Sequence, residues 1–199
     1  MQRMDDAELV KKYREGDEAA FEEIVGRYSS RLYAFAYRLS GDAALAEDAV
    51  QNSFLKAWKN LGKFDERRSF RSWIFSIARN AVIDLLRARK DIPFASMDRD
   101  DDAGSFADDL VGDEEAADAA FDRALDAGML EEILSELPVD SRAVVILHDK
   151  EGLTFDEIGK VLKEPLNTVK SRYRRALGKL RLKLQGRKGL DAPKGSVKT

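Results

Sequence analysis

The chain has 199 residues, 44% of them hydrophobic, and its 34 basic and 37 acidic side chains leave a net charge of −3. This length suits one domain or two small ones. With no cysteine and a single histidine, His148, the sequence excludes disulfides, thiolate metal sites, a cysteine nucleophile and a multi-histidine metal centre.

Asp5 is placed to cap a first helix, with Glu8 three residues on completing a capping box. Gly16 and Asp17 break that helix and start the next. From residue 18 to 39, Phe21, Ile24, Val25, Tyr28, Leu32, Phe35, Ala36 and Leu39 recur at helical spacing. Ser40, Gly41 and Asp42 end it and open a third helix to about Trp58, with Leu45, Ala49, Val50, Phe54 and Trp58 expected inward. The stretch NLGKFDERR, residues 60–68, holds a glycine, a lone aromatic and several charges, and reads as an ordered loop. Ser69 is expected to cap a fourth helix, SFRSWIFSIARNAVIDLLRARK, whose apolar face is Phe70, Trp73, Ile74, Ile77, Ala81 and Leu85. Four helices with short connections predict a compact all-α domain over residues 1–92.

Residues 93–124 read as an acidic, flexible linker. Its centre, DRDDDAGSFADDLVGDEEAADAA, is small and charged and cannot bury enough apolar area to offset its ordering entropy, although the stretch after Glu114 can turn helical. Charge follows the same division. Residues 1–97 are at +2, residues 98–132 at −12, residues 133–159 at −4 and residues 160–199 at +11. The linker is expected to join two independently folding units.

A second all-helical domain is predicted over 125–185. Leu125, Met129, Ile133 and Leu134 mark its first helix. Pro138 sits near the start of a second, with Ala143, Val144, Ile146 and Leu147 as core positions, and Gly152 ends it. Thr154 starts a third helix with Glu157 in the reciprocal capping position, and a fourth runs from about 166 to 184. Residues 186–199 are expected to be a disordered basic tail.

The last two helices make a helix-turn-helix. Leu153, Phe155, Ile158 and Val161 or Leu162 point inward from one, and Val169, Tyr173, Ala176 and Leu180 share one face of the other. At about 100° per residue, Asn167, Ser171, Arg174 and Arg175 fall on the opposite side, with Lys170 and Arg172 on the flanks. A basic solvated face is the plain alternative. The tight turn and capped partner helix favour a recognition helix, whose central residues reach base edges while flanking cations hold phosphates.

Taken together, two blocks carry a family resemblance. LPVDSRAVVILHDKEGLTFDEIGKVLKEPLNTVKSRYRRALGKL resembles region 4 of bacterial sigma-70 factors, and AEDAVQNSFLKAWKNLGKFDERRSFRSWIFSIARNAVIDLLRARK resembles region 2. The small size and missing third-region domain are similar to the extracytoplasmic-function subgroup. Lys163 and Asn167 stand where the family pattern has a glycine and a small residue. A left-handed backbone at Lys163 is therefore expected. The resemblance implies a protein that binds core RNA polymerase through its β and β′ subunits and directs it to promoter DNA. It assigns polymerase docking to Asp48, Gln51, Asn52, Phe54 and Leu55. It assigns capture of an extruded −10 base to the loop containing Leu61, Lys63, Phe64, Arg67 and Arg68, and further −10 contacts to Arg71, Arg79, Asn80 and Asp84. Asp84 can equally hold Arg87. Reading of the −35 element falls to Asn167, Thr168, Lys170, Ser171, Arg172, Arg174 and Arg175. It further implies an anti-sigma partner, a monomer when free, and an acidic linker that threads the polymerase cleft; a solubilising spacer is the alternative for that segment.

The chemistry points the same way. No phosphate-binding loop occurs, His148 has no paired nucleophile and reads as structural or solvent-exposed, and Asp101 and Asp102 are linker charge. No catalytic residue, cofactor or metal is expected. No stretch approaches the about 18 apolar residues of a membrane span, so a soluble cytoplasmic protein without membrane insertion is expected. The competing function is a helix-turn-helix regulator acting without core polymerase, which needs a ligand pocket or dimerisation helix that the aromatic-filled first four helices do not offer.

Overall fold

The structure, a computed structural model, describes residues 4–89 and 134–188. The helices are α1 (Asp6–Arg14), α2 (Glu18–Ser40), α3 (Ala43–Asn60), α4 (Phe70–Ala88), α5 (Val139–Val145), α6 (Phe155–Leu162) and α7 (Leu166–Lys188). A 3-10 turn at Leu61–Lys63 follows α3, and a π turn at Ile146–Lys150 follows α5. Among the described residues there is no strand. The expected linker at 93–124 and the expected helix through Leu125, Met129 and Ile133 lie outside the described residues. At the other end α7 continues to Lys188, inside the span 186–199 expected as a disordered tail.

Local chemistry sets the helix starts. The Asp5 carboxylate accepts from the Glu8 amide at 2.8 Å and the Glu8 carboxylate accepts from the Asp5 amide at 3.0 Å. Asp17, Asp42, Ser69 and Thr154 cap α2, α3, α4 and α6 through their side-chain oxygens. Gly41, at φ 74°, closes α2 in the left-handed conformation and its amide donates to Tyr37 O.

The first region packs α1, α2, α3 and α4 around Leu9, Val10, Ile24, Leu32, Phe35, Leu39, Leu45 and Phe75. Phe35 and Phe75 meet edge to face at 5.3 Å. Ala46, Ala49 and Ala57 are fully buried along α3, and their small side chains let α3 approach its neighbours closely.

Two expectations about packing are corrected. Trp58 is 52% exposed, because the inward stripe of α3 runs Leu45, Ala49, Ser53, Ala57 and Trp58 lies about 100° beyond it. On α4 the buried face is wider than periodicity implied. Phe75, Ala78, Val82 and Leu86 are buried as well as Phe70, Ile74 and Ala81, while Trp73, Ile77 and Leu85 are half-buried. The reason is that α4 packs on α2 and α3 on one side and on α6 of the second region on the other.

The two regions are docked against each other, and their buried residues form one continuous core. Arg142 of α5 is buried and its guanidinium donates to Leu39 O at 2.7 Å, Ser135 O at 2.6 Å and Leu137 O at 3.1 Å. Leu39 lies at the carbonyl end of α2, where the helix dipole favours a cation. Burial lowers the Arg142 pKa from its ordinary value.

Candidate nucleic-acid interface

The helix-turn-helix forms as its sequence predicts. The Thr154 and Glu157 capping box opens α6, and Lys163 closes it at φ 60°, ψ 39°, the left-handed geometry expected there. Val169, Tyr173, Ala176 and Leu180 are buried on one face of α7. Asn167, Lys170, Ser171 and Arg174 are exposed on the other, and Thr168 and Arg175 are half-buried. Arg172 is paired with Glu164 at 2.7 Å, which fixes this flanking cation against the turn. The Arg175 Nε donates to Ser171 O at 3.4 Å.

His148 is half-buried and belongs to the scaffold of this motif. Its ring stacks on Phe155 at 4.3 Å and meets Tyr173 edge to face at 4.9 Å, and Nδ1 lies 2.9 Å from Leu153 O. The Tyr173 hydroxyl donates to the Asp149 carboxylate at 2.8 Å. The π turn thus locks α7 to α6.

In the first region, Asp48, Gln51, Asn52 and Leu55 are exposed on α3, and Phe54 is half-buried against the core. Trp58 joins Leu55 on the outer face three residues on, so α3 presents two large apolar side chains at 55% and 52% exposure. Periodicity had placed Trp58 inward, so the sequence did not nominate it.

The loop after α3 divides its residues. Leu61 is fully buried and Phe64 nearly so, which makes their side chains anchors; Lys63, Arg67 and Arg68 are exposed. Phe64 packs against Phe70 at 5.5 Å and Trp73 at 4.9 Å. Beside it opens a pocket lined by Lys56, Asn60, Lys63, Phe64, Asp65, Arg68, Trp73 and Ile77. Aromatic surface with cations around it suits a stacked base and its phosphates. Lys56 and Asn60, on the last turns of α3, were not nominated by sequence; only the fold brings them opposite the loop.

The α4 candidates face two ways. Asp84 is exposed and lies 3.6 Å from Lys56, and half-buried Asn80 accepts from Arg79 at 3.3 Å. Arg71 and Arg79 face the second region. The Arg71 Nη1 donates to Glu151 O at 2.8 Å, and the Arg79 guanidinium is ion-paired with the Asp140 carboxylate.

Comparison with known proteins agrees with this geometry. The Sigma-70 region 2 family matches residues 24–92 and the Sigma-70, region 4 family matches residues 127–180. The chain is 30% identical to the ECF RNA polymerase sigma factor SigW of Bacillus subtilis over 177 residues, covering 88% of this chain and 95% of that one. It is 33% identical to the RNA polymerase sigma-H factor of Pseudomonas aeruginosa over 172 residues, covering 86% and 89%. Among solved structures, CnrH in complex with the cytosolic domain of CnrY superposes with a TM-score of 0.64 at 26% identity, covering 94% of this chain and 99% of that one. With the two family matches falling in order, the first across α3, the loop and α4 and the second across the helix-turn-helix, the chain belongs to the extracytoplasmic-function sigma factors of the sigma-70 family and acts in promoter-specific transcription initiation through core RNA polymerase.

Proposed function

We propose that the two regions divide promoter recognition between them. The first docks on the β and β′ subunits through the outer face of α3 and captures a −10 base in the pocket between the loop and α4. The second reads the −35 duplex through α7. The observation that carries this reading is the sidedness of α7: four anchoring side chains buried on one face, and Asn167, Ser171, Arg174 and Lys170 exposed on the other. Arg can pair with guanine and Asn with adenine in the major groove. Extruding a base costs a few kcal/mol of stacking. A pocket of aromatic and cationic side chains supplies that by binding, without turnover, so the protein acts as a non-enzymatic factor.

Arg71 and Arg79 reach −10 DNA when their bonds to the second region are exchanged for phosphates. An anti-sigma partner is part of the same reading, since CnrH was solved with CnrY and the sigma factor RpoE of Bartonella quintana with the anti-sigma factor NepR. No helix among the described residues is long and apolar enough to cross a membrane, which fits action beside polymerase in the cytoplasm.

The test compares Arg174→Ala with Lys170→Ala in reconstituted holoenzyme, on promoter and scrambled −35 duplexes across a salt series. Loss of the Arg174 base contact is expected to weaken promoter binding by about 1–3 kcal/mol and relax preference at one position. Loss of Lys170 is expected to weaken both duplexes alike and lower the salt slope by about one. Identical profiles for the two variants would refute the division of roles on α7.

A further inference from the structure

The base-capture loop has few ties to the rest of its region. Its backbone bonds are local: the Phe64 amide donates to Leu61 O and the Arg68 amide to Asp65 O, while the Asp65 carboxylate accepts from the Arg67 amide at 3.1 Å. Apart from the buried Leu61 side chain and the Phe64 ring, one distant side chain holds it. Arg14, the last residue of α1, donates from Nη2 to the Phe64 carbonyl and from Nη1 to the Glu66 carboxylate. Among the described residues, no other side chain from outside the loop hydrogen-bonds to residues 64–66.

The other end of that tether is rigid. Leu9 and Val10 of α1 are fully buried. Asp6 is ion-paired with Arg27 of α2 at 2.6 Å and accepts from the Tyr28 hydroxyl. The Tyr13 ring packs on Phe21 at 5.7 Å. Arg14 therefore projects from a fixed helix to a segment that supplies three walls of the pocket, Phe64, Asp65 and Arg68.

We propose that Arg14 is a positioning residue for −10 base capture: it touches no base, and it holds the loop in the geometry that receives one. The inference rests on the function proposed above, with the pocket as the −10 site. Its physical basis is preorganisation. A loop already fixed loses less conformational freedom when its ligand arrives, and an untethered loop opens at low free energy. A bidentate guanidinium bond to a carbonyl and a carboxylate is among the stronger tethers available, and the half-exposed Glu66 arm contributes less than the carbonyl arm.

The experiment uses the full chain reconstituted with core polymerase. The probes are fork-junction duplexes whose non-template tail is a six-nucleotide pool of random sequence, with a fully paired duplex as control. Arg14→Ala is expected to lose about 3- to 20-fold in affinity for the tailed fork and to flatten selection at the captured position, leaving core-polymerase affinity and −35 duplex binding as in wild type. Arg14→Lys, which can reach one acceptor, is expected to recover part of the loss. In the free full chain, amide exchange at residues 64–68 should speed up in Arg14→Ala while that of residues 70–88 stays as it is. Unchanged tail affinity and selection in Arg14→Ala would overturn the proposal. So would an equal loss in core binding, −35 binding and tail binding, which would mark Arg14 as a general stabiliser. A wild-type holoenzyme that does not discriminate tailed from paired forks would overturn the pocket assignment itself, and the exchange data would then report only a structural tether.

Discussion

Lys163 carries the one positive φ of any non-glycine among the described residues, and it does so at the corner of the helix-turn-helix. Its amide donates to Gly159 O, and so does the Glu164 amide at 3.0 Å, folding the chain back over the last turn of α6. The fold-back brings the Glu164 carbonyl within 2.8 Å of where a Cβ on Gly159 would sit. Gly159→Ala must therefore displace backbone, and a loss of roughly 1–3 kcal/mol is expected, as for other overpacked sites. Lys163→Gly relieves the left-handed strain and is expected to add about 0.5–1 kcal/mol. Thermal melting of the two variants checks both, with opposite signs required. The Lys163 conformation was legible through the family resemblance, because a lysine stands where the family pattern has a glycine. The Gly159 requirement was not legible. It arises from the path of a carbonyl five residues away, and nothing about a glycine in mid-helix announces which atom will approach it.

At the scale of the element, caps and buried stripes were legible, and the outer faces were legible only in part. Aspartate, serine and threonine caps announce themselves by residue type, and an apolar stripe by spacing. Trp58 misled because a large aromatic at near-helical spacing reads as core, whereas Ala57 occupies the inward position. That leaves Leu55 and Trp58 together on the outer face of α3, the face proposed to dock on core polymerase. Trp58→Ala is expected to weaken core-polymerase affinity by about 2 kcal/mol, as buried aromatic anchors of interfaces do. Its melting temperature should stay within a degree or so of wild type, since the side chain packs little in the free protein; loss of melting temperature without loss of affinity would refute the assignment. The α6 cap offers a pH test. Burial raises the Glu157 pKa, but hydrogen bonds from the Thr154 amide, the Ser69 hydroxyl and the Thr154 hydroxyl, together with Arg71, outweigh it and hold the carboxyl below its ordinary 4.5. The depressed folded value means that this stabilisation is complete above pH 4.5 and is lost as pH falls through the folded pKa. Glu157→Gln should therefore melt below wild type at pH 7, and the gap should close under acid. A gap that persists at the lowest pH would show that the charge is not what stabilises.

For the whole molecule, the decisive contacts join residues far apart in sequence, and these were the least legible. Arg31 pairs with Glu151 at 2.7 Å, Arg71 donates to Glu151 O, Ser72 to the Glu157 carboxylate at 3.3 Å, and Arg79 pairs with Asp140. The uneven charge layout hinted at them, since the acidic 133–159 stretch sits against arginines of α2 and α4, but no periodicity specifies which arginine meets which carboxylate. The Arg79–Asp140 pair is largely desolvated, with 16% and 11% side-chain exposure, so removing one partner while the regions stay docked leaves a buried uncompensated charge. Opening the docked regions returns Arg79 to water. The free energy lost is then capped by the strength of the docking contact, and the variant responds by opening and not by unfolding. Asp140→Asn combined with Glu151→Gln is expected to raise the radius of gyration of the free chain in solution scattering while leaving helical content unchanged. Asp156→Asn, which removes an exposed pair with Lys160 within α6, should leave the scattering profile as it was. Opening in the same double variant frees Arg79 and draws Arg71 away from the Glu151 carbonyl, so its holoenzyme should bind −10 fork DNA at least as tightly as wild type. A scattering profile identical to wild type would show that apolar packing between α4 and α6, together with Arg142 on the α2 carboxyl terminus, suffices to keep the regions docked.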